Sequence, residues 1–133
     1  MEKVNRQIEN IIYVVDDDPV IVGLVAARLE SFGYIVKSFS YGEDCIAALH
    51  DEIPDLIILD FYFIKEGTVP MNGMEAYDVI YSMVPEVPVI MLSAQEKGEV
   101  VLEFARKGIA DYVIKDSDLI DNLHMAVKDV LER

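Results

Sequence analysis

Five short apolar runs alternate with segments of helical periodicity along the 133 residues of this chain. The apolar runs predict strands at residues 11–15, 35–39, 56–59, 88–92 and 111–114. Between them, apolar residues recur every three or four positions, which is typical of amphipathic helices. Strict alternation of strand and helix favours an α/β fold, a doubly wound five-stranded parallel sheet with helices on both faces. We therefore expect a single domain over residues 1–133, with its core between about residues 11 and 131.

Polar residues of complementary chemistry stand at the ends of the predicted strands. The first strand is followed by Asp16 and Asp17, the third by Asp60, the fourth by Ser93 and the fifth by Lys115. In a doubly wound sheet, ligands bind beyond the carboxyl ends of the strands, so these side chains are expected to converge there. Clustered carboxylates suit Mg²⁺, with Mn²⁺ as an alternative, and a lysine suits a phosphoryl oxygen. The set predicts a phosphoryl-transfer site in which an aspartate can be the nucleophile.

Several of these acids also have an ordinary structural explanation. Asp18 stands directly before Pro19 and is expected to cap the first helix. The negative charges of Asp16 and Asp17 could simply be stabilised by the positive end of the dipole of the same helix. Asp60 has no such explanation, because the next helix is not predicted to start before about Asn72. The combination of residues at one edge, rather than any single residue, indicates a functional site.

The charge balance of the chain excludes some classes of partner. With 25 acidic and 11 basic residues, the formal net charge is −14, so we expect no direct binding to nucleic acid or anionic membranes. The polar start, residues 1–10, leads into only five apolar residues, too few for a signal peptide or a membrane span. The single cysteine, Cys45, is expected to be a buried thiol in a reducing compartment. These features predict a cytoplasmic protein.

The ordered motifs VVDDDP, LIILD, NGME, PVIMLSA and ADYVIK resemble those of receiver domains of two-component response regulators, in particular single-domain, chemotaxis-regulator-like ones. The resemblance covers about residues 11–131 and implies a flavodoxin-like sheet with strand order 2-1-3-4-5. It implies that Asp60 accepts a phosphoryl group from a sensor histidine kinase or a histidine phosphotransfer protein, without turnover as an enzyme. It also implies that Asp17, Asp60 and the backbone carbonyl of Tyr62 bind Mg²⁺, with Asp16 acting largely through water.

The same resemblance implies a switch around the phosphoryl group. Ser93, Ala94 and Lys115 would contact this group, and Tyr112 would be the aromatic residue that changes position with Ser93. The affected surface comprises helix four (about residues 96–107), strand five and helix five. It would engage a downstream effector or output domain of unknown identity, and a homodimer through this surface is a further expectation. Whether the chain acts alone, in a relay or within a larger regulator stays open.

Two departures from the family pattern have consequences for the site. Gly73 lies thirteen positions after Asp60, so the segment 61–73 is about five residues longer than usual. We hypothesise that Phe61, Tyr62 or Phe63 shields the site and alters the lifetime of the phosphoryl group; a surface insertion without effect is the alternative. Lys115 is followed by Asp116, where the family usually has a proline with a cis peptide bond. Because a cis bond before another residue costs about 2.5–4 kcal/mol, we expect a trans bond with a reshaped loop, or a strained bond.

Three other protein classes share part of this pattern. A haloacid-dehalogenase-type phosphatase would use the pair Asp16 and Asp18, but it would leave Asp60 without a role. A flavin-binding protein of this fold needs a phosphate-binding loop after the first strand, where three acids would repel the phosphate. A receiver that binds partners without phosphorylation would not need the complete set of five polar strand-end residues.

Overall fold

The computed structural model describes residues 10–63, 67, 69–94 and 98–133. Strands and helices alternate in the order β1 (Ile11–Val15), α1 (Pro19–Ser31), β2 (Ile35–Phe39), α2 (Gly42–Ala48), β3 (Leu56–Asp60), α3 (Gly73–Met83), β4 (Val89–Ser93), α4 (Gly98–Lys107), β5 (Asp111–Ile114) and α5 (Leu119–Leu131). The predicted strands are confirmed with small shifts: β3 extends one residue further, and β4 lies one residue later. As a result, Asp60 and Ser93 are the last residues of their strands. The predicted first residues of helix four lie outside the described residues.

The five strands form one parallel sheet in the order β2-β1-β3-β4-β5. The predicted flavodoxin-like fold is therefore confirmed. The chain reverses its direction of winding between β1 and β3, which are neighbours in the sheet. Val15 pairs with Leu59 in this ladder, so the residues that follow them, Asp16 and Asp60, emerge side by side. This is the position where ligands bind in sheets of this type.

Helices cover both faces of the sheet and bury its inner strands. Every residue of β3 and β4 is buried. Alternate strand residues face opposite sides, so Ile57 and Leu59 pack on one face while Leu56 and Ile58 pack on the other. Each fully buried aliphatic side chain contributes roughly 1.5–3 kcal/mol, so these strands form a rigid base for the residues at their ends.

The helix starts follow local sequence signals. Asp18 caps α1, because its side chain accepts a hydrogen bond of 2.9 Å from the backbone N–H of Val20, and Pro19 occupies the first turn. Asn72 caps α3 in a reciprocal arrangement with Glu75. Cys45 on α2 is fully buried. None of the helices in the described ranges combines the length and the apolar character needed to cross a membrane.

Candidate functional site

Three carboxylates converge at the carboxyl edge of the sheet. One oxygen each of Asp16, Asp17 and Asp60 lies within 4.8 Å of the others. Asp16 is 2% exposed and Asp60 is 4% exposed, whereas Asp17 is half-buried. Like charges at this separation repel one another, and burial weakens their hydration. The arrangement therefore requires a compensating positive charge.

Lys115, which follows β5, supplies part of that charge. Its Nζ lies 2.8 Å from Oδ2 of Asp16 and 3.0 Å from Oδ1 of Asp60. Burial favours the neutral amine and lowers the pKa of Lys115, but the contacts with Asp16 and Asp60 outweigh burial and raise it above the ordinary value. Lys115 is therefore a permanent ammonium at neutral pH. Within the described part of the chain, these two contacts set one ammonium among three carboxylates.

The surroundings of Asp60 disfavour its charged form. Burial, followed by repulsion from Asp16, raises its pKa to about 6, although Lys115 acts in the opposite direction. A carboxylate with this pKa is mostly ionised at neutral pH and is a stronger base than an exposed aspartate. Such a perturbed carboxylate in a cluster of charged groups is typical of a functional site.

Asp16 and Asp18 differ in what their side chains do. The backbone N–H of Asp16 donates to the carbonyl of Phe39 (3.0 Å), which ties the end of β1 to β2. Oδ1 of Asp16 accepts from the backbone N–H of Asp18 (2.9 Å), so its other oxygen is the one that faces Lys115. Asp18 itself is exposed and caps α1. The Asp18 carboxylate thus serves as a helix cap and is not one of the three grouped carboxylates, whereas the phosphatase alternative would use it together with Asp16.

Ser93 places a hydroxyl at the same edge. It is 1% exposed, and its Oγ has no hydrogen-bond partner within the described part of the chain. A buried hydroxyl without a partner costs roughly 1–3 kcal/mol, so an oxygen-rich group bound beside it would remove this cost. The neighbouring Ala94 is exposed, and Lys115 donates its backbone N–H to the carbonyl of Ser93 (2.8 Å). The Ser93 hydroxyl and the Lys115 ammonium thus belong to residues whose backbones are hydrogen-bonded to each other at the ends of the adjacent strands β4 and β5.

The arrangement of donors suits a hard divalent cation and a phosphoryl group. Carboxylate oxygens within a few ångströms of one another are the ligands that Mg²⁺ prefers, together with a phosphate oxygen. The unpartnered hydroxyl of Ser93 and the ammonium of Lys115 suit the other phosphoryl oxygens.

Comparison with known proteins decides the family. The family model described as "Response regulator receiver domain" matches residues 12–128. The chain belongs to this family. Receiver domains act in two-component signal transduction, where an aspartate accepts a phosphoryl group and an acidic pocket binds Mg²⁺, and they are generally not turnover enzymes. They act between a histidine kinase and an effector.

Curated relatives of this receiver domain are longer regulators. The nitrogen assimilation regulatory protein NtrX of Azorhizobium caulinodans is 35% identical over 104 residues, which is 78% of this chain and 22% of that protein. The transcriptional regulatory protein GlrR of Escherichia coli (strain K12) is 32% identical over 120 residues, which is 90% of this chain and 26% of that protein. The chain thus spans about a quarter of the length of these relatives.

Solved receiver structures share the fold. The BeF3-activated receiver domain of DrrB from Thermotoga maritima is 32% identical, with a TM-score of 0.79 over 95% of this chain and 100% of that one. NtrX from Brucella abortus is 30% identical, with a TM-score of 0.82 over 94% of this chain and 27% of that one.

A backbone hydrogen bond joins the two ends of the segment between β3 and α3 in this receiver domain. The N–H of Gly73 donates to the carbonyl of Phe61 (2.8 Å). A Cβ at Gly73 would overlap the carbonyl oxygen of Asp60 and lie 2.7 Å from Cα of Phe61, so only glycine fits. Phe61 packs against the core and Phe63 is 9% exposed, whereas Tyr62 is 60% exposed. Of the three aromatic residues in the shielding hypothesis, Tyr62 is the most exposed to solvent.

The loop after Lys115 adapts to the absence of proline. The Lys115–Asp116 peptide bond is trans, as are the other bonds of the described residues. The N–H of Asp116 donates to the carbonyl of Ile114 (2.9 Å), and its side chain accepts from the N–H of Asp118 (2.9 Å). Asp116 therefore builds a turn that leads into α5, and the trans bond agrees with the first of the two expectations from the sequence.

The sequence did not indicate how Tyr112 is packed. Its half-buried ring lies 5.8 Å from the ring of Phe104 on α4, with an angle of 55° between them. Phe104 in turn contacts Phe61. The available signal was weak: Phe104 follows Val100 and Val101 at helical spacing, which predicts a buried position but not its neighbours.

Proposed function

We propose that this chain is a phosphoacceptor receiver domain in which Asp60 takes a phosphoryl group from a phosphohistidine. The donor is a sensor histidine kinase or a histidine phosphotransfer protein. The observation that carries the proposal is the contact between Asp60 and Lys115 within the cluster of Asp16 and Asp17. An acidic cluster that served only to cap a helix would not require a half-buried lysine from the end of another strand.

The transfer needs little from the protein besides position and charge. An oxygen of the Asp60 carboxylate attacks phosphorus, the P–N bond to the donor imidazole breaks, and a P–O bond forms. The imidazole keeps the electron pair of the broken bond and takes a proton from solvent. Because the pKa of Asp60 is about 6, the attacking group is ionised at neutral pH. Lys115 stays within reach of the added negative charge.

A divalent cation is expected to take part in this site. Asp17, Asp60 and the backbone carbonyl of Tyr62 are the proposed ligands of Mg²⁺ or Mn²⁺, with Asp16 acting through water. When bound, the cation neutralises charge on the phosphoryl oxygens. The chain's own residues keep the carboxylates close together and partly shielded from bulk water.

The phosphoryl group is proposed to act on the α4–β5–α5 surface. Ser93 donates its unpartnered hydroxyl to the group, and the N–H of Ala94 lies next along the chain. Movement of Ser93 shifts the population between two positions of Tyr112, because the phosphoryl group interacts differently with the two states. The altered surface engages an effector or output domain, and a homodimer through it is a further proposal.

The remaining features of the proposal concern the whole molecule. We assign residues 1–133 to one domain with a cytoplasmic location, and we assign it no turnover chemistry beyond loss of its own phosphoryl group. The alternative is a receiver that binds partners without phosphorylation. The Ser93 hydroxyl, which has no hydrogen-bond partner among the described residues, favours the phosphoacceptor, because a pure interaction module would gain by burying an apolar side chain there.

Mass spectrometry of the intact protein distinguishes these functions. The chain is incubated with Mg²⁺ and acetyl phosphate, and we expect one added phosphoryl group that is stable to acid and labile to base. Asp60→Asn should abolish the addition, whereas Asp51→Asn, at an exposed aspartate away from the cluster, should not. An unmodified parent protein would support the partner-binding alternative. Continuous hydrolysis of the donor that is lost in Asp16→Asn would indicate a phosphatase.

A further inference from the structure

Phe61 stands between two residues of the proposed phosphoryl site. It directly follows Asp60, and it directly precedes Tyr62, whose carbonyl is a proposed metal ligand. Its N–H donates to the carbonyl of Leu92 on β4 (2.8 Å), and its carbonyl accepts from the N–H of Gly73 (2.8 Å). Phe61, at the centre of residues 60–62, is thus tied to the sheet on one side and to the start of α3 on the other.

The ring of Phe61 contacts a side chain of α4. The ring centroids of Phe61 and Phe104 are 5.4 Å apart at an angle of 76°, an edge-to-face pair. Phe104 is 2% exposed and is the buried side chain of α4 among the described residues. The Phe104 ring also contacts that of Tyr112, with the ring centroids 5.8 Å apart. Phe104 therefore touches both the residue after the proposed acceptor and the proposed switch residue.

Close packing makes these two contacts dependent on each other. Protein interiors are as dense as organic crystals, so a shift of one ring changes the space available to the next. Edge-to-face aromatic pairs also prefer a limited range of angles, which a smaller aliphatic side chain does not impose. A change in the orientation of Phe61 is consequently expected to alter which position of Tyr112 is favoured.

We propose that Phe104 is a positioning residue that couples the state of Asp60 to the position of Tyr112. The coupling runs from Asp60 through the Phe61 ring to Phe104 and then to Tyr112. It acts in addition to Ser93, which reaches the phosphoryl group from β4. This inference rests on the proposed function, because it assumes that Asp60 changes state. It adds a side-chain contact through which α4 and β5 respond together to a change at Asp60.

The test uses the full chain with fluorotyrosine incorporated, and ¹⁹F NMR follows the Tyr112 ring after assignment with Tyr112→Phe. Mg²⁺ with beryllium fluoride serves as the phosphoryl mimic, and backbone amide signals of Asp17 and Asp60 report binding. In Phe104→Leu we expect binding to be retained, while the change in the ratio of the two Tyr112 states becomes about two- to tenfold smaller, the range expected for loss of one aromatic pair.

Two further variants make the result specific. Phe61→Leu leaves the buried Phe104 in place and should reduce the Tyr112 response to a similar extent. The double variant Phe61→Leu/Phe104→Leu should lose no more than the larger of the two single losses, because both changes interrupt one link. Phe32→Leu removes an aromatic ring that is 63% exposed and packs against His124, and it should respond like the parent protein.

The outcomes separate this inference from the proposed function. A full Tyr112 response in Phe104→Leu, with binding retained, would overturn the coupling and leave the phosphoacceptor site intact. Losses that add in the double variant would also overturn it, because they would indicate two independent routes. If beryllium fluoride with Mg²⁺ shifts neither Asp17 nor Asp60 in the parent protein, the proposed function itself fails.

Discussion

Replacing Asp60 by asparagine is expected to stabilise the metal-free protein. The pKa of Asp60 rises from an ordinary value of 3.8 to about 6, mainly through burial and repulsion from Asp16. The folded protein therefore holds this proton more tightly than the unfolded chain does. As the pH rises from about 4 to about 6, the folded state becomes progressively less stable relative to the unfolded state, and above pH 6 the full cost is present.

The size of this cost follows from the difference in pKa. Each pKa unit corresponds to 1.36 kcal/mol, so a difference of about two gives up to about 3 kcal/mol at neutral pH. This figure already contains the attraction of Lys115 for Asp60, so the attraction must not be counted again. Asparagine keeps the shape of the side chain and removes its charge. We expect the free energy of unfolding of Asp60→Asn to exceed that of the parent by about 1–3 kcal/mol at pH 7.5.

Urea denaturation with a metal chelator present measures this difference at several pH values. The gain should be largest above pH 6 and should disappear below about pH 4, where the parent carboxylate is protonated in both states. Asp51→Asn removes an exposed carboxylate elsewhere and should change stability little. A variant that is less stable than the parent at pH 7.5, or a gain that does not vary with pH, would refute the electrostatic reasoning.

Three other predictions concern the same edge of the sheet. Millimolar Mg²⁺ should raise the melting temperature of the parent protein in differential scanning calorimetry, because binding to the folded state stabilises it by about 2.7 kcal/mol at a hundredfold excess over Kd. Asp17→Asn should reduce this rise. An unchanged melting temperature in the parent protein would speak against a metal site. Gly23→Ala, in the open interior of α1, should raise the free energy of unfolding in urea by roughly 0.5–1 kcal/mol. Gly73→Ala should instead lower it by several times that amount, because the added Cβ collides with the backbone of Asp60. Equal effects of the two substitutions would contradict the close approach at Gly73. Tyr62→Ala should change the rate at which the phosphorylated protein loses its label, measured by intact mass over time, and an unaltered rate would leave the extended segment 61–73 as a surface insertion.

The order of the elements could be read from the sequence because it depends on local periodicity. Apolar runs such as residues 11–15 and 56–59 are too short for helices and lack the alternation of a half-exposed strand, so they predict strands covered on both faces. The end of β3 was placed one residue too early, because Asp60 is charged and yet lies within the buried ladder beside Leu92. A buried acid does not fit the run of apolar residues from which the strand is predicted. Such exceptions to local sequence rules are expected at functional sites.

The sequence by itself determined which groups stand at the carboxyl edge: three acids, a hydroxyl and a lysine, at or next to the ends of runs of apolar residues. Only the tertiary structure decided their relations. It placed Lys115 between Asp16 and Asp60 and turned Phe61 towards Phe104. It also left the Ser93 hydroxyl without a partner among the residues that the structure describes. The physical reason is that local patterns specify periodicity and polarity, whereas distances between residues far apart in the chain arise only when strands pair and helices pack over them.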